Sequence, residues 1–348
     1  MSAGADTAVH VAAAARSHRV AEALSRFRGA AIAAVILIVF GATAIKNPSF
    51  AHSASVQQIL TGASLFILLA VGETVVIVTR NVDLSVGSTL GLSAFEIGQI
   101  FTHHPHTPVI LALLIGIGIG AACGAVIGLI TTVARVPSLV VTLAALYIIR
   151  GYVNVIGSGI QIEPSSIPSS FQSIGYSSIL GVPWLFVIVM GIALAVAYGM
   201  RTFRAGRELY AIGSNPEAAE LAGIPVAKRV FGAFVISGAL AGLGGALFLA
   251  EYATVDATGG GGYELVVVAS VVVGGVAIFG GSGNVIGAAL GAILLQVINQ
   301  SLVAVRVSAF WDSAIAGALL LAAIAFDRLI GFRATRAMRA KQGATYVG

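Results

Sequence analysis

Gly206–Arg229 reads GRELYAIGSNPEAAELAGIPVAKR. It is the one long polar insert between apolar segments on the face that the charge pattern assigns to the cytoplasm. Its local chemistry spells a short helix. Asn215 can accept a backbone N–H of the first turn, and Pro216 suits the first helical position, where its missing donor costs nothing. Glu217 adds negative charge to that turn and Glu220 lies on the next. Ala218, Ala219 and Leu221 are good helix formers. Gly223 can close the helix in a left-handed conformation, and Pro225 prevents its continuation. A helix of about two turns does not stand alone in water, so it needs a surface to lie on. A solvated linker and a docking element for a separate protein suit this composition equally.

On both sides of the hairpin the chain is apolar. Of 348 residues, 58% are hydrophobic and only 9% charged, against about a quarter charged in soluble domains. This excludes a soluble protein and predicts an all-α polytopic membrane protein. At roughly 20 apolar residues per crossing, the candidate spans are 29–45, 57–79, 84–102, 108–134, 137–156, 183–200, 230–251, 264–280, 284–303 and 309–327, about ten in all. The eighth is short. Arg16, Arg19, Arg26 and Arg28 precede the first span. No small-residue cleavage site and soluble mature domain follow them, so an uncleaved first span is expected rather than a signal peptide. The expected organisation is a cytoplasmic tail at 1–28, a transmembrane domain at 29–327 interrupted by the cytoplasmic loop 206–229, and a basic cytoplasmic tail at 328–348.

Basic residues orient this scheme. With ten crossings and both termini inside, only Lys46 and Arg306 of the 19 lysines and arginines fall outside, while Arg150 lies near the end of a span. That is the bias of a membrane protein with positive loops in the cytoplasm. Two loops on the other side are long: Gly157–Pro183, rich in Ser, Gly and Pro, and Thr254–Tyr263, which contains GGGG.

Small residues recur every four positions at Gly116, Gly120, Gly124 and Gly128, and again at Gly283, Gly287 and Gly291. Such ridges let helices approach closely. NVDLSVGS from Asn81 and GGSGN from Gly280 break the chain at corresponding places, each ahead of a Gly-rich helix. These breaks suggest a two-fold internal repeat.

Polar residues inside spans are expensive and usually functional. Glu73, Glu96 and Asp312 are of this kind. Asn81, Asp83, Ser85, Asn154, Asn299 and Gln300 are candidates for a solute pathway. For Asp83 the preferred reading is a helix N-cap opening the third span, ahead of a pivot or pathway role. Asn299 and Gln300 suit solute hydroxyls and helix–helix bonds equally. His103, His104 and His106 sit with prolines and no carboxylate, which is a solvated turn rather than a metal site. The single cysteine, Cys123, supports no intrachain disulfide. No phosphate-binding P-loop, no Ser-His-Asp pattern and no HExxH occurs, so no catalytic residue, cofactor or metal is assigned and the chain is not expected to hydrolyse ATP.

Four stretches carry a resemblance: GETVVIVTRNVDLSVGS at 72–88, VPSLVVTLAALYIIRG at 136–151, GRELYAIGSNPEAAELAGI at 206–224 and VVVGGVAIFGGSGNVIGAALGAILL at 271–295. The chain resembles the permease subunits of ribose-type sugar importers of the ATP-binding cassette class, from the first span to Asp327. Where the family commonly has GIDLS, this chain has Asn81-Val-Asp-Leu-Ser, and Pro216 is not the commonest choice. The resemblance implies a multi-pass protein of the cell membrane, embedded in lipid and without a nucleic-acid partner. It implies a second permease subunit, identical or similar, and an extracytoplasmic solute-binding protein. It also implies a cytoplasmic ATPase with two nucleotide sites, carrying Mg-ATP and docked on 206–229. Asn215, Pro216, Glu217, Ala218, Ala219, Glu220 and Gly223 would then form the coupling helix. The implied cargo is ribose, xylose, galactose, rhamnose, a furanosyl signalling molecule or a related polyol. Branched-chain amino-acid permeases share parts of the loop pattern and are an alternative. So are an ion-coupled secondary transporter, using carboxylates such as Glu73, Asp83 and Glu96, and a membrane scaffold that transports nothing.

Overall fold

The structure, a computed structural model, describes residues 29–325 except 309 and 312. The expected tails at 1–28 and 328–348, the end of the last span and Asp312 lie outside the described residues. Seven described helices are long and apolar enough to cross a membrane: α1 (Gly29–Lys46), α2 (Ser53–Ile77), α4 (Val109–Val133), α5 (Ser138–Gly157), α7 (Trp184–Thr202), α10 (Val226–Tyr252) and α12 (Val285–Ala304). Helix α3 (Val86–His103) is less apolar yet largely buried. Helices α11 (Tyr263–Val273) and α13 (Ser313–Ala325) are apolar but shorter. Helix α6 (Ser169–Tyr176) packs at one end of the bundle, and α8 (Arg204–Ser214) and α9 (Pro216–Leu221) form the polar hairpin at the other. The result is an all-α polytopic membrane protein.

Burial divides the spans by role. The most apolar window of α2 is 83% buried and that of α10 67%, whereas α5 reaches only 17%. An all-round apolar helix that the protein itself leaves uncovered needs lipid or another subunit on its open face. The centre is therefore α2, α3 and α10, with α12, α11 and α4 packed around them.

The glycine ridges do what their spacing predicts. Gly120 and Gly124 of α4 lie directly on the main chain of α10, so a Cβ at either would collide with the Gly238 or Phe234 carbonyl. Gly238 and Gly242 answer from α10, meeting the Gly120 and Gly116 carbonyls. On α12, Gly287 and Gly291 meet Gly274, just past α11, and Ser270 of α11 in the same way. Gly283 precedes α12 and belongs to a break, not to the ridge.

Three stretches differ from the sequence-based expectation. Residues 264–280 were expected to be one span, but helix stops at Val273. Gly275, Gly280 and Gly281 then take left-handed φ angles of 95°, 77° and 77°, which end a helix without steric cost. Gly157–Pro183 is not a simple loop. It holds α6 and a two-residue antiparallel pair, Ser178–Ile179 with Val182–Pro183. Phe171 of α6 is fully buried against Phe101, ring centres 4.8 Å apart. Thr254–Tyr263 is not a free external loop either. Ile162 N donates to Val255 O at 2.8 Å, and Gly259 and Gly260 press on Gly91 and Gly87 of α3.

Candidate functional site: the polar hairpin and the two breaks beneath it

Helix α9 forms as its residue types require. Asn215 is extended (φ −155°, ψ 102°) and its side chain accepts from Ala218 N at 3.1 Å. Pro216 opens the helix and Glu217 sits in its first turn. At the other end Gly223 has φ 77°. Gly223 N donates to Glu220 O at 2.9 Å and Ile224 N to Ala219 O at 3.0 Å. That paired pattern closes a helix through a left-handed glycine. Ala219 is buried and holds α9 to the body of the protein, while Glu217, Ala218, Glu220 and Leu221 face outward. Leu221 is 91% exposed, an uncovered apolar side chain at the tip of a polar hairpin.

Sequence reasoning missed α8. Its signal was present: Leu209, Ile212 and Gly213 repeat at helical spacing, and all three are buried. Glu208, also buried, accepts from Arg204 Nε at 2.7 Å and from Arg229 Nε at 2.5 Å. It thereby ties α8 to the first turn of α10. The Arg204 and Arg229 hydrogen bonds hold the Glu208 carboxyl below the usual carboxylate range.

The C-terminal end of α8 meets both breaks of the bundle. A Cβ at Gly213 would strike the Val78 carbonyl, just past α2. Arg80 takes a left-handed φ of 66° and reaches over the end of α8. Its Nε donates to Gly213 O at 2.5 Å and its Nη2 to Ser214 O at 2.7 Å. Both carbonyls belong to the helix end, where partial negative charge collects and a cation is favoured. From the second break, Gly281 N donates to Val78 O at 2.9 Å, and Tyr210 Oη of α8 donates to Gly283 O at 3.3 Å. The 78–85 and 274–284 segments thus touch each other and the same helix.

Above this junction lies a buried polar turn. Asp83 N donates to Glu73 Oε1 at 3.0 Å. Asp83 Oδ1 accepts from Ser85 N at 3.0 Å and Ser85 Oγ at 2.5 Å, and Oδ2 accepts from Ser237 Oγ of α10 at 3.2 Å. The N-cap position of α3 is Ser85, whose own side chain makes no capping bond. The N-cap reading of Asp83 is therefore corrected. Its carboxylate closes a tight turn two residues earlier and crosses to another helix. Val82 is held from α5, its N donating to Ser138 Oγ at 3.4 Å and its O accepting from Thr142 Oγ1 at 3.3 Å.

Of the six polar residues singled out for a pathway, the structure brings three together. Asn81, Asp83 and Ser85 share this turn, with the Asn81 amide donating to Thr79 O at 3.1 Å. Asn154 is exposed on α5 and donates to Arg150 O at 2.8 Å. Asn299 and Gln300 lie half-buried on α12. Arg150 had no role in the sequence reading. Its guanidinium donates to Gly259 O at 2.7 Å and holds the glycine loop in place.

Residues 55–324 match the family model described as branched-chain amino acid transport system / permease component. The chain is 36% identical over 305 residues to the autoinducer 2 import system permease protein LsrC of Enterobacter sp. (strain 638), covering 88% of each chain. It is 34% identical over 292 residues to the protein of that name from Klebsiella pneumoniae subsp. pneumoniae, covering 84% of each. The Photorhabdus luminescens protein is 33% identical over 295 residues, 84% of this chain and 87% of that one. No solved structure matches. With the family match running from α2 to α13 and the relatives aligned along most of their length, this chain belongs to the permease components of membrane transport systems and is a transport subunit, not an enzyme.

Proposed function

We propose that the chain is the translocating subunit of an ATP-binding cassette importer for a monosaccharide or a similarly hydroxylated small solute. A separate cytoplasmic ATPase grips the hairpin of α8 and α9. One observation carries this reading: α8 is bonded at once to both breaks of the bundle, through Arg80 and Tyr210. A push on the hairpin therefore reaches α2–α3 and α11–α12 together. The relatives are named for autoinducer 2 import, which favours an importer over an exporter. They also favour a cargo other than the branched-chain amino acid of the family description.

The rest of the assembly follows from the same reading. Both termini face the cytoplasm. Ten segments form the bundle, and α11 completes its crossing only with the loop that precedes it, because 11 residues span about 16 Å. The α2–α3 and α11–α12 units are the two halves of an internal repeat, supported by the meeting of their breaks at α8. The open apolar faces are covered by lipid and by a second permease subunit, identical or similar. A solute-binding protein docks at the opposite end. The chain itself carries no cofactor, and Mg-ATP sits on the two nucleotide sites of the ATPase.

The test is docking. Leu221→Glu, like Glu217→Lys, alters only the exposed face of α9, so the purified chain should melt within about 0.5 kcal/mol of wild type. Solute-stimulated ATP hydrolysis by the reconstituted complex should fall at least about tenfold, as for loss of an interface anchor. Normal coupled uptake by both variants would reject the docking role. Solute movement by the purified chain in response to an ion gradient, without any ATPase, would instead establish secondary transport.

A further inference from the structure

At the far end of α10 from the hairpin, about 40 Å along its 27 residues, a cavity of about 330 Å³ opens beside the glycine loop. That volume suits a small ligand. Gln161, Tyr252, Thr254, Asp256, Thr258 and Tyr263 line it, together with the main chain of Gly259–Gly261. We propose that this cavity is a solute-receiving subsite for a small neutral molecule bearing several hydroxyl groups; the inference rests on the importer reading and deepens it.

The loop that walls the cavity is re-entrant. It is pinned at Val255 to Ile162, which lies on Gly98 of α3, and it reaches Gly87 on the same helix. It therefore descends about 16 Å along α3. Irregular backbone at such depth is tolerated where it is buried in protein or lines a polar cavity. The packing demands glycine: a Cβ at Gly87 or Gly91 would meet the Gly260 or Gly259 carbonyl, and Gly260 and Gly262 have φ of 69° and 82°.

The lining chemistry selects the ligand. Thr258 N and Oγ1 both bond to Asp256 Oδ1, at 2.8 and 2.7 Å. They hold that carboxyl below the usual range, so it stays ionised as an acceptor. Arg150, the nearby cation, is engaged with the loop carbonyl of Gly259, and no lysine or arginine lines the cavity. The lining thus carries one carboxylate, several hydroxyls, an amide and no cation, which complements hydroxyl groups and disfavours an anion. Phe248, Tyr252 and Tyr263 cluster, with ring centres 4.6 and 6.3 Å from Phe248, and supply much of the apolar part of the lining. Tyr263 also begins α11, whose other end runs into the break that touches α8. The subsite is thereby linked to the hairpin by one short rigid helix.

The test uses the full chain in nanodiscs, without ATPase, so that its outcome is independent of the importer reading. On a Cys123→Ser background, Thr258→Cys and, separately, Gln161→Cys are labelled with a small impermeant methanethiosulfonate. D-Ribose, D-xylose, D-galactose, L-rhamnose, L-leucine and D-gluconate are added one at a time. At least one neutral sugar should slow labelling of both cysteines, by about tenfold near ten times its dissociation constant. L-Leucine and D-gluconate should leave labelling unchanged. Protection by L-leucine or D-gluconate, or by none of the sugars at either cysteine, overturns the proposal. A failure of ATP-driven uptake with sugar protection intact overturns the importer reading alone.

Discussion

Along the seam between α4 and α10, Gly116, Gly120, Gly238 and Gly242 lay main chain on main chain over several turns, and the hydrogen bond beside them, from Ser93 Oγ to Gly242 O at 2.7 Å, comes from α3. At the end of α8 a single glycine, Gly213, lies on the Val78 carbonyl, and directed bonds from Arg80, Tyr210 and Gly281 surround it. Both contacts need glycine, for different reasons. The seam gains dispersion and loses nothing by being featureless, so it holds two helices as one body. The junction is small and hydrogen-bonded, and it joins three segments that are far apart in sequence. A contact of that kind can transmit a displacement, because its bonds have one preferred geometry. The bundle thus has a rigid member and a linkage, and they can be told apart by mutation.

Gly120→Leu should have the largest effect. Its side chain would enter the Gly238 main chain, and overpacking against backbone costs at least about 3 kcal/mol. The expected result is loss of folded protein from the membrane, read by detergent-solubilised yield and thermal melting. A well-folded variant with wild-type melting would mean that the seam is not a rigid unit. Arg80→Ala should come next and act differently. Removing two charge-assisted bonds at a partly exposed site costs about 1–2 kcal/mol, whereas ATP-driven uptake should drop about tenfold with ATPase binding intact. Arg80→Lys should restore only part, because an ammonium does not reproduce the two-pronged contact. Unchanged uptake in Arg80→Ala would reduce the junction to packing.

The smallest effect concerns the link between α8 and α10. The Arg204 and Arg229 bonds depress the Glu208 carboxyl, so their stabilisation is present above the ordinary carboxylate range and is lost as pH falls through the lower folded value. Hydrogen exchange across Arg204–Ser214, corrected for intrinsic rate, should therefore accelerate as pH falls from about 5 to about 3. Glu208→Gln should abolish that step while leaving the α4–α10 seam unchanged. A step that persists in the variant would place the titrating group elsewhere.

How far the site could be read in advance differed between its parts. Helix α9 was legible because its signals are local: a capping Asn215, Pro216 at the first position and Gly223 at the end act within a few residues of themselves. Helix α8 was obscured by its charged residues. Arg204, Arg207 and Glu208 made it look like loop, while its buried aliphatic side chains are only Leu209 and Ile212. The 264–280 run misled for the opposite reason. Apolar composition is shared by a spanning helix and by glycine-rich backbone buried inside a protein, and only the left-handed angles at Gly275, Gly280 and Gly281 distinguish them. Asp83 was placed at the right break but read as a helix N-cap, whereas its carboxylate bonds Ser85 and crosses to Ser237, 154 residues away.

By itself, the amino-acid sequence determined the membrane class, the close-packing ridges and the short capped helix, because hydropathy, fourfold spacing and capping act along the chain. It also carried the family, through four long stretches. Only the tertiary structure decided that α8 rests on both breaks, that Arg150 holds the glycine loop, and that this loop folds inward to wall a cavity. Those facts depend on contacts between distant segments. Hydropathy records how apolar each segment is and says nothing of which neighbour covers it.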